Sequence, residues 1–487
     1  MIAVWVLILP LAAAVLAPLF GRAARALAVA VLAADALLLV QVWRQAHTFS
    51  HQPWFASWSA DWVPQLGIRF ALGLDGFALA LSLMSCVVGA ATLAATPGRG
   101  REDGAFCAWF LAGVAGVLGV FLATDLALFF ICFELMLLPV IALIVRWGTG
   151  DRRRVAIRFF VFTQAGGLIM LLSIVGLHVA HHAATGVHTF DVAALTATPL
   201  TPELARLFLI GFLVAFAVKL PIVPFHTWQA TTYASAPTEA AILLAALMAK
   251  TAGFGLVRLA LPLFPDAAVS LAPWAVSLAV VSIVYTAWLA YGQLDVVRVV
   301  AYSSASHLAY VVLGAFAAND LGRTGALVQM ICHGLSVAGM LIVFSHAARV
   351  TGARDISALG GLWRQAPSLG VVALVFVLAT LGLPGLGNFI GEFMVLAGVF
   401  QRHPVAASVA ATGAVLSAAY ALRLMQHTFF GRTGAMRPVS ALSPAAAVAC
   451  TLLVAALIWT GLRPQALVQL VAPRAPIEQQ LVLGGRP

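Results

Sequence analysis

Long apolar runs, separated by short polar segments, extend along almost the whole chain. A helix needs about 20 apolar residues to cross a bilayer. Reading the chain in windows of that length predicts an all-α polytopic membrane protein with about fourteen transmembrane helices. The predicted spans lie near residues 2–20, 26–43, 71–95, 105–123, 125–145, 156–180, 205–225, 237–262, 271–291, 298–318, 324–347, 368–397, 405–426 and 443–462.

Two of these spans contain helix-breaking residues near their middle. Pro221 and Pro224 interrupt the seventh span, and Pro384 and Gly385 interrupt the twelfth. Irregular backbone at membrane depth is tolerated only next to protein or a watery cavity. Because the breaks lie about five spans apart, they indicate two five-helix repeats with an ion site at the breaks. A pair of incidental kinks is the alternative interpretation.

The composition supports this class and excludes soluble ones. Of 487 residues, 62% are apolar and 9% are charged, whereas soluble domains carry about a quarter charged residues. A soluble enzyme, a disordered chain and a disulfide scaffold are therefore excluded. The net charge of +10 does not indicate nucleic acid, because no basic face or aromatic platform accompanies it. Five scattered cysteines indicate core packing rather than a metal site.

The arginines predict the orientation of the chain. With the first residue outside, alternating spans place most arginines, including the cluster Arg152–Arg154, on the inner side, as the positive-inside rule requires. We therefore expect a multi-pass protein of the bacterial cytoplasmic (inner) membrane with both termini on the periplasmic side. No positive residue precedes the first span, which favours a retained span over a signal peptide.

No polar linker divides the chain, so residues 1–487 are predicted to form one membrane domain. Its predicted parts are about 1–104 with helices one to three, about 105–262 as a first repeat of helices four to eight, about 271–426 as a second repeat of helices nine to thirteen, and about 443–487 with the last helix and a C-terminal tail.

The two lysines are the sharpest chemical signal. Of 27 basic residues only Lys219 and Lys250 are lysines, and both lie inside predicted spans. Buried lysine shifts its pKa readily, whereas arginine does not lose its proton in a protein. A buried site that loads and releases protons therefore requires lysine, while an anchoring charge can be arginine.

Two carboxylates, Glu134 and Glu392, also lie inside apolar spans. A lone charge at the bilayer centre costs several kcal/mol, so it should face the protein interior and find a partner. We expect Glu134 and Lys219 to be such partners. A fixed ion pair that only orients helices is the alternative, but titratable residues on four separate spans exceed what packing requires.

Histidines and hydroxyls extend this set. His226, His307 and His333 lie in or beside apolar spans, and histidine is the usual proton shuttle near neutral pH. Each is equally compatible with a satisfied core residue. His307 is the best placed, because Ser303 and Ser304 precede it and are able to hold water at depth.

Other acidic residues carry a weaker signal. Glu239 lies in the first turn of the eighth span, where the helix dipole favours a carboxylate. It also shares a face with Lys250. Capping is the favoured role, and an internal proton entry is the alternative. Asp35, Asp75 and Asp125, near span ends or within spans, are weaker candidates still.

Cofactor and metal sites are not predicted in this chain. Neither GxxxxGK[ST] nor GxGxxG occurs, so the chain has no power source of its own and no expected catalytic residue. An outer loop near 181–204 carries histidines that do not recur at ligand spacing, and a solvated loop is favoured over a metal site. These histidines are His178, His181, His182 and His188.

Taken together, these residues resemble the antiporter-like membrane subunits of respiratory complex I, the proton-pumping NADH:quinone oxidoreductase, and in particular their M type. The resemblance covers about residues 70–430. Each motif is weak alone, but the ordered set is highly specific. The motifs are Phe130–Leu138, Lys219–Trp228, Ala236–Thr238, Lys250-Thr251, Ala301–His307, His333-Gly334, Arg354–Ile356 and Pro384–Leu396.

The resemblance implies fourteen helices, with two inverted five-helix repeats and broken helices seven and twelve. It also implies a proton path across the membrane centre and assigns it to Glu134, Lys219, Lys250, His307, His333 and Glu392. Sister subunits of types L and N and Mrp-type sodium/proton antiporters generally carry lysine where Glu392 stands, so the acid favours type M. The chain length agrees, because type L carries a long extra C-terminal helix.

The resemblance also implies the partners. It predicts a non-redox subunit beside L-type and N-type neighbours, in contact with lipids and internal water, with FMN, iron–sulfur clusters and quinone in partner subunits. An Mrp-type antiporter subunit, the equivalent subunit of a membrane-bound hydrogenase complex and a structural spacer are the alternatives. Residues 229–233 read Gln-Ala-Thr-Thr-Tyr, where the common family form reads Leu-Pro-Asp-Ala-His. This departure removes an acid and a histidine from the inner rim of the entry path.

Overall fold

The structure, a computed structural model, describes residues 1–45, 54–431 and 440–472. Helical units at all fourteen predicted spans confirm the predicted fold class. The units are Ile2–Phe20 (α1), Ala24–Gln45 (α2), Gly76–Ala95 (α3), Asp103–Leu122 (α4), Leu126–Leu135 with Leu137–Trp147 (α5), Arg152–Thr185 (α6), Pro202–Lys219 with Gln229–Ser235 (α7), Thr238–Leu263 (α8), Pro265–Gly292 (α9), Val296–Ala315 (α10), Asp320–Thr351 (α11), Pro367–Thr380 with Gly387–Phe400 (α12), Pro404–Thr428 (α13) and Pro444–Leu462 (α14).

Eleven continuous helices within the described residues are long and apolar enough to cross a membrane, and the first of them contains both α1 and α2. Burial separates central from peripheral helices. The most apolar stretch of α11 is 100% buried, whereas that of α9 is only 28% buried. A helix that is apolar all round lies either in the protein core or against lipid. The centre of the molecule is therefore built by α8, α10 and α11, which carry Lys250, His307 and His333.

The predicted break in α7 is confirmed. The helix ends at Lys219, and a turn leads into a short 3₁₀ segment. Side chains satisfy the backbone groups that the break frees: the indole of Trp228 donates to the carbonyl of Val218 at 3.0 Å, and Ser282 Oγ accepts from the amide of Val223 at 2.9 Å. Irregular backbone at this depth is tolerated because protein groups replace the lost helix hydrogen bonds.

The predicted break in α12 is confirmed as well. The helix stops at Thr380 and resumes at Gly387. Gly382 and Gly385 have φ angles of +79° and +97°, a region that favours glycine. A Cβ on Gly382 would lie 3.2 Å from a carboxylate oxygen of Glu392. The turn therefore brings the backbone close to the carboxylate at the start of the second segment.

A third break, in α5, was not predicted. The span expected as one helix over 125–145 ends at Leu135 and resumes at Leu137. Pro139 lies in the first turn of the second segment, where it lacks the amide that would continue the ladder. Glu134 therefore lies at the C-terminal end of a short helix rather than in the middle of a long one.

Helix α8 contains two π-helical stretches, Leu243–Met248 and Leu256–Ala260, on either side of Lys250. Such widened turns are rare and occur frequently at functional sites. Apolar periodicity alone predicts a regular helix over this span.

The third predicted span begins later than expected. Residues Ile68–Leu74 form a strand that pairs antiparallel with Ala56–Val63, and α3 starts only at Gly76. The carboxylate of Asp75 caps this helix by accepting from the amide of Ala78 at 2.8 Å. A small hairpin thus accompanies the helices on the predicted outer side.

Three short helices complete the described fold: Val192–Thr196, Leu362–Gln365 and Pro464–Val471. The predicted C-terminal tail beyond residue 472 lies outside the described residues. The division into two inverted repeats stays a prediction.

Candidate functional site

The six residues that the resemblance places on a proton path come from six helices and form three groups. Five of them are at most 7% exposed, and Glu134 is partly exposed. The groups are Glu134 with Lys219, Lys250 with His333, and His307 with Glu392.

The first group lies at the breaks in α5 and α7. The ammonium of Lys219 donates to the carbonyl of Phe133 at 2.8 Å and lies 3.4 Å from the centre of the Phe133 ring. This carbonyl is one of the last four of its helical segment, which lack partners within the helix and attract a cation. The break in α5 therefore creates the acceptor that holds Lys219.

Glu134 does not form the direct ion pair with Lys219 that we expected. The two groups are close enough to interact electrostatically, but the carbonyl of Phe133 takes the ammonium. The carboxylate rests instead against Gly167 of α6, where an added Cβ would come within 2.1 Å of Oε1. The side chain of Gln164, on the same helix, lies nearby, but within the described residues neither carboxylate oxygen has a partner in hydrogen-bond geometry.

The second group joins α8 to α11. Lys250 Nζ lies 2.7 Å from Nδ1 of His333 and donates to the carbonyl of Ala245 at 2.7 Å. That carbonyl belongs to the π-helical stretch before Lys250, in which the backbone hydrogen bonds are displaced. If Lys250 is an ammonium, it donates to an unprotonated Nδ1, and the contact then holds one proton between two bases.

The third group is a continuous hydrogen-bond chain. His307 Nδ1 lies 2.7 Å from Oε1 of Glu392, and Nε2 lies 2.9 Å from the hydroxyl of Tyr420. Ser303 donates to that hydroxyl at 2.8 Å, and Gln329 donates to Glu392 at 3.0 Å. If Tyr420 donates to Nε2, the neutral imidazole carries its proton on Nδ1 and donates it to the carboxylate.

Tyr420 and Gln329 belong to the site but were not predicted from the sequence. Both are polar residues inside apolar helices, at 1% and 0% exposure, and that combination is the signal that was available. Their roles follow only from their partners, which belong to other helices.

Two small cavities lie between the three groups. The first is lined by Lys219, Thr163 and apolar side chains that include Met248, two residues before Lys250. The second is lined by His307 and His333 together with Ser303, Ser304, Ser336 and Thr380. Each has room for about one water molecule. The hydroxyl of Ser304 has no hydrogen-bond partner among the described residues. Together with the other polar side chains that line the second cavity, it is available to hydrogen-bond a water molecule there.

His226 is not brought into these groups. It lies in the 3₁₀ segment after the α7 break and packs against Tyr285 and Tyr302, with ring centres 5.7 and 6.5 Å away. The break at Lys219 ends the helical face that the two residues would otherwise share. A part for His226 in proton transfer stays a prediction.

Glu239 is an ion-paired anchor in the first turn of α8. Its carboxylate accepts from both guanidinium nitrogens of Arg99, at 2.7 and 3.0 Å, and lies 3.5 Å from Arg25. Arg25 also pairs with Asp103 at 3.1 Å. These contacts tie the start of α8 to α2 and α4, and Glu239 has no contact with the Lys250 ammonium.

The outer histidines stack on one another at the end of α6 and in the exposed loop that follows it. His178 and His181 are buried in the last turns of α6, while His188 is exposed. His188 lies 3.7 Å from His182, centre to centre, and its Nδ1 is 3.2 Å from Nε2 of His178. Loss of hydration beside the stacked rings and the charges of these two imidazoles lower the pKa of His188. Within residues 1–45, 54–431 and 440–472, no three His, Cys, Asp or Glu side chains are arranged to hold a metal ion.

This fold and these groups define a multi-pass helical membrane protein with buried titratable residues across its centre. The family model described as "NADH:quinone oxidoreductase/Mrp antiporter, TM" matches residues 123–417, a range that contains all six of those residues. The chain belongs to this family.

Relatives and a solved structure agree with this assignment. The chain is 39% identical to NADH-quinone oxidoreductase subunit M of Pseudomonas aeruginosa over 426 residues, which are 86% of this chain and 84% of the relative. It is 37% identical to the subunit M of Escherichia coli (strain K12), over 88% of this chain and 87% of the relative. A chain of respiratory complex I from Thermus thermophilus with bound NADH superimposes with a TM-score of 0.88 at 30% identity, and the match covers 96% of this chain and 98% of that one.

Proposed function

We propose that this chain is the M-type antiporter-like subunit in the membrane arm of an NADH:quinone oxidoreductase and moves a proton outward through its buried groups. The single observation that carries the proposal is the 2.7 Å contact between Lys250 and His333. It joins a lysine of the first predicted repeat to a histidine of the second. The subunit M relatives support the choice of complex, as does the acid at Glu392 instead of a lysine.

Transfer begins at Lys219 and Glu134. Because a backbone carbonyl rather than Glu134 holds the ammonium, the carboxylate is free to move without breaking a direct bridge. At an effective dielectric of about 20, two unit charges interact by about 4 kcal/mol at about 4 Å and by less at a greater separation. A signal from a neighbouring subunit that moves Glu134 towards or away from Lys219 therefore changes the proton affinity of Lys219.

The proton then crosses the first cavity to the Lys250–His333 pair. Within that pair, the Lys250 ammonium first passes its proton to Nδ1 of His333, and the neutral amine then accepts the proton that Lys219 releases. The hydroxyl-lined second cavity connects His333 to His307, and the direct hydrogen bond passes the charge to Glu392. Release from Glu392 is outward.

The redox chemistry belongs to other subunits. In this proposal FMN, iron–sulfur clusters and quinone are bound by partners, and this chain is not catalytic alone. Its neighbours in the arm are L-type and N-type subunits. The chain lies in the bacterial cytoplasmic (inner) membrane with both termini on the periplasmic side, an orientation supported by the arginine bias of the inner loops.

An Mrp-type sodium/proton antiporter subunit is the second candidate, because the matching family model covers both kinds of protein. Gentle detergent extraction of native membranes, followed by identification of the proteins that co-purify, separates the two. Flavin and iron–sulfur subunits with NADH:quinone activity support the proposal. Hydrogenase subunits, or small Mrp-like partners with sodium-dependent exchange in the absence of a redox donor, contradict it.

The proton-transfer step is tested with Lys219→Ala and Lys219→Arg in the assembled complex. Arginine keeps the charge but does not release a proton, so vesicles with either variant should take up fewer protons per NADH oxidised. Full uptake in Lys219→Arg would mean that a fixed charge suffices and would contradict proton transfer through this residue. Equal amounts of assembled complex on native gels control for folding.

A further inference from the structure

Asp35 is a buried carboxyl group that the proton path does not use. It lies at the middle of α2 and is 0% exposed. The same face of the helix buries Ala28, Leu32, Leu39 and Val42. Neither carboxyl oxygen of Asp35 has a hydrogen-bond partner among the described residues.

The facing helix, α3, presents two further polar groups without partners. Ser82, Ser85, Cys86 and Gly89 follow helical spacing along one face, and Gly89 packs against Leu32 of α2. Cys86 lies within electrostatic range of Asp35. Ser82 and Ser85 are both 0% exposed, and in the described part of the chain their hydroxyls have no hydrogen-bond partner.

These serines differ from the other buried hydroxyl groups of α3. The hydroxyl of Thr92 donates to the carbonyl of Val88 at 2.7 Å, the usual arrangement for a hydroxyl inside a helix. Ser82 and Ser85 do not use their own backbone in this way. Buried polar groups are normally paired, so unpaired groups on both facing helices indicate that the seam between α2 and α3 accommodates a ligand.

The helices around Asp35 provide no counter-charge. Helices α1, α3 and α4 pack against α2, and Trp43 of α2 also contacts Trp459 of α14. The only charged residue in α1, α3, α4 and α14 is Asp103, at the inner end of α4. It is paired with Arg25. An ionised Asp35 would therefore be an uncompensated buried charge, which is strongly unfavourable.

We propose that Asp35 binds a proton and remains a neutral carboxylic acid at neutral pH, at a polar seam to which Ser82 and Ser85 contribute their hydroxyls. In the described structure neither hydroxyl forms a hydrogen bond to Asp35, so the lack of a counter-charge, and not a hydrogen-bond network, favours the neutral form. A hard metal cation takes about six or more oxygen ligands, whereas this seam offers only the four unpaired oxygens of these three residues. The proton is the occupant that fits.

The site lies outside the proton path. On the opposite face of α3, Met84 packs against Gly334, the residue after His333, where an added Cβ would lie 2.2 Å from the sulfur. Helix α3 thus separates Asp35 from the Lys250–His333 pair. The bound proton is not one that the path transfers.

Infrared spectroscopy of the assembled membrane complex tests this assignment. Free aspartate is ionised at neutral pH, so a protonated Asp35 gives a carboxylic-acid C=O band that an ordinary aspartate does not. We expect this band in the native complex at neutral pH and its loss in Asp35→Asn. The matched control Asp61→Asn, at an exposed aspartate of the hairpin, leaves the band unchanged.

The remaining outcomes are equally decisive. Identical native and Asp35→Asn spectra would show that Asp35 is ionised and would overturn the proposal, as would a band that disappears when sodium is added. Asparagine replaces one neutral group by another, so Asp35→Asn should pump normally. If an assembled Asp35→Asn complex lost pumping, the proton on Asp35 would belong to the transfer path. That result would contradict a separate proton-binding site.

Discussion

Lys250 and His333 lie 2.7 Å apart in the most buried part of the protein and connect α8 to α11. The contact depends on the π-helical stretch before Lys250, because the carbonyl of Ala245 in that stretch also accepts from the ammonium. On one side lie the lysine and carboxylate at the α5 and α7 breaks, and on the other lies the His307–Glu392 chain. The pair is therefore the link on which transfer between the two halves depends.

Tyr420→Phe should slow pumping without preventing assembly. The change removes the hydroxyl that contacts both His307 and Ser303. A lost hydrogen bond is worth about 0.5–1.5 kcal/mol, or about a two- to tenfold fall in rate if it supports the transfer step. The measurement is NADH-driven proton uptake in inverted vesicles. Tyr291→Phe, at an exposed position of α9, is the matched control, and equal rates in the two variants would contradict a positioning role for Tyr420.

Gly167→Ala should disable Glu134 without removing it. The added methyl would lie 2.1 Å from Oε1 of Glu134, so the carboxylate must move away from its place near Lys219. We expect an assembled complex with reduced proton uptake. Gly292→Ala, where an added Cβ meets nothing within 4 Å, should pump normally. Normal uptake in Gly167→Ala would indicate that the position of Glu134 is unimportant.

Glu239→Gln should lower stability more than pumping. It leaves Arg99 and Arg25 without their shared carboxylate, and loss of one partner from a buried ion pair costs about 3–5 kcal/mol. Since both arginines are partly exposed, the lower end of that range applies. We expect a lower thermal midpoint for the extracted complex and an unchanged proton-to-electron ratio. Glu203→Gln, at an exposed glutamate of α7, is the control, and normal stability with lost pumping would place Glu239 on the proton entry path.

Acid should loosen the outer segment that carries His188. Loss of hydration beside the stacked rings and the neighbouring imidazoles of His182 and His178 lower the pKa of His188 below its ordinary value of 6.5. The folded state thus prefers the neutral ring, so this stabilisation is present above pH 6.5 and is lost as the pH falls. The protection of residues 186–191 against hydrogen exchange, corrected for the slower intrinsic exchange at low pH, should fall on acidification by more than it does in His188→Asn. Identical pH dependence in both proteins would contradict this.

Much of the site was predictable because lysine and glutamate are costly inside a membrane and rarely lie there without a chemical role. Two features of the sequence therefore indicate buried titratable groups. One is the pair of lysines among arginines, Lys219 and Lys250, and the other is the pair of carboxylates within apolar spans, Glu134 and Glu392. Proline and glycine likewise marked the breaks in α7 and α12. The exposure of successive side chains alternates along residues 56–63, as in a half-buried strand. No strand was predicted there.

Other features depend on contacts that no local pattern encodes. The π-helical turns of α8 consist mainly of ordinary apolar residues, so no residue type in the sequence distinguishes them from a regular helix. Lys219 pairs with the carbonyl of Phe133 rather than with Glu134 because α5 ends at Leu135. Every residue type has the same backbone carbonyl, so the sequence does not show which carbonyl accepts the ammonium. Tyr420 joins the site only through a packing arrangement between α10 and α13.

The most direct test of the account is the number of protons taken up per NADH oxidised in vesicles that carry Lys250→Met. Methionine keeps the length of the side chain but removes the proton and the hydrogen bond to His333. The account predicts an assembled complex with a reduced ratio, an equal reduction in His333→Gln, and no further loss in the double variant, because both interrupt one path. His346→Gln, on the same helix but outside the path, should keep the native ratio. A native ratio in the Lys250→Met complex would contradict proton transfer through this pair.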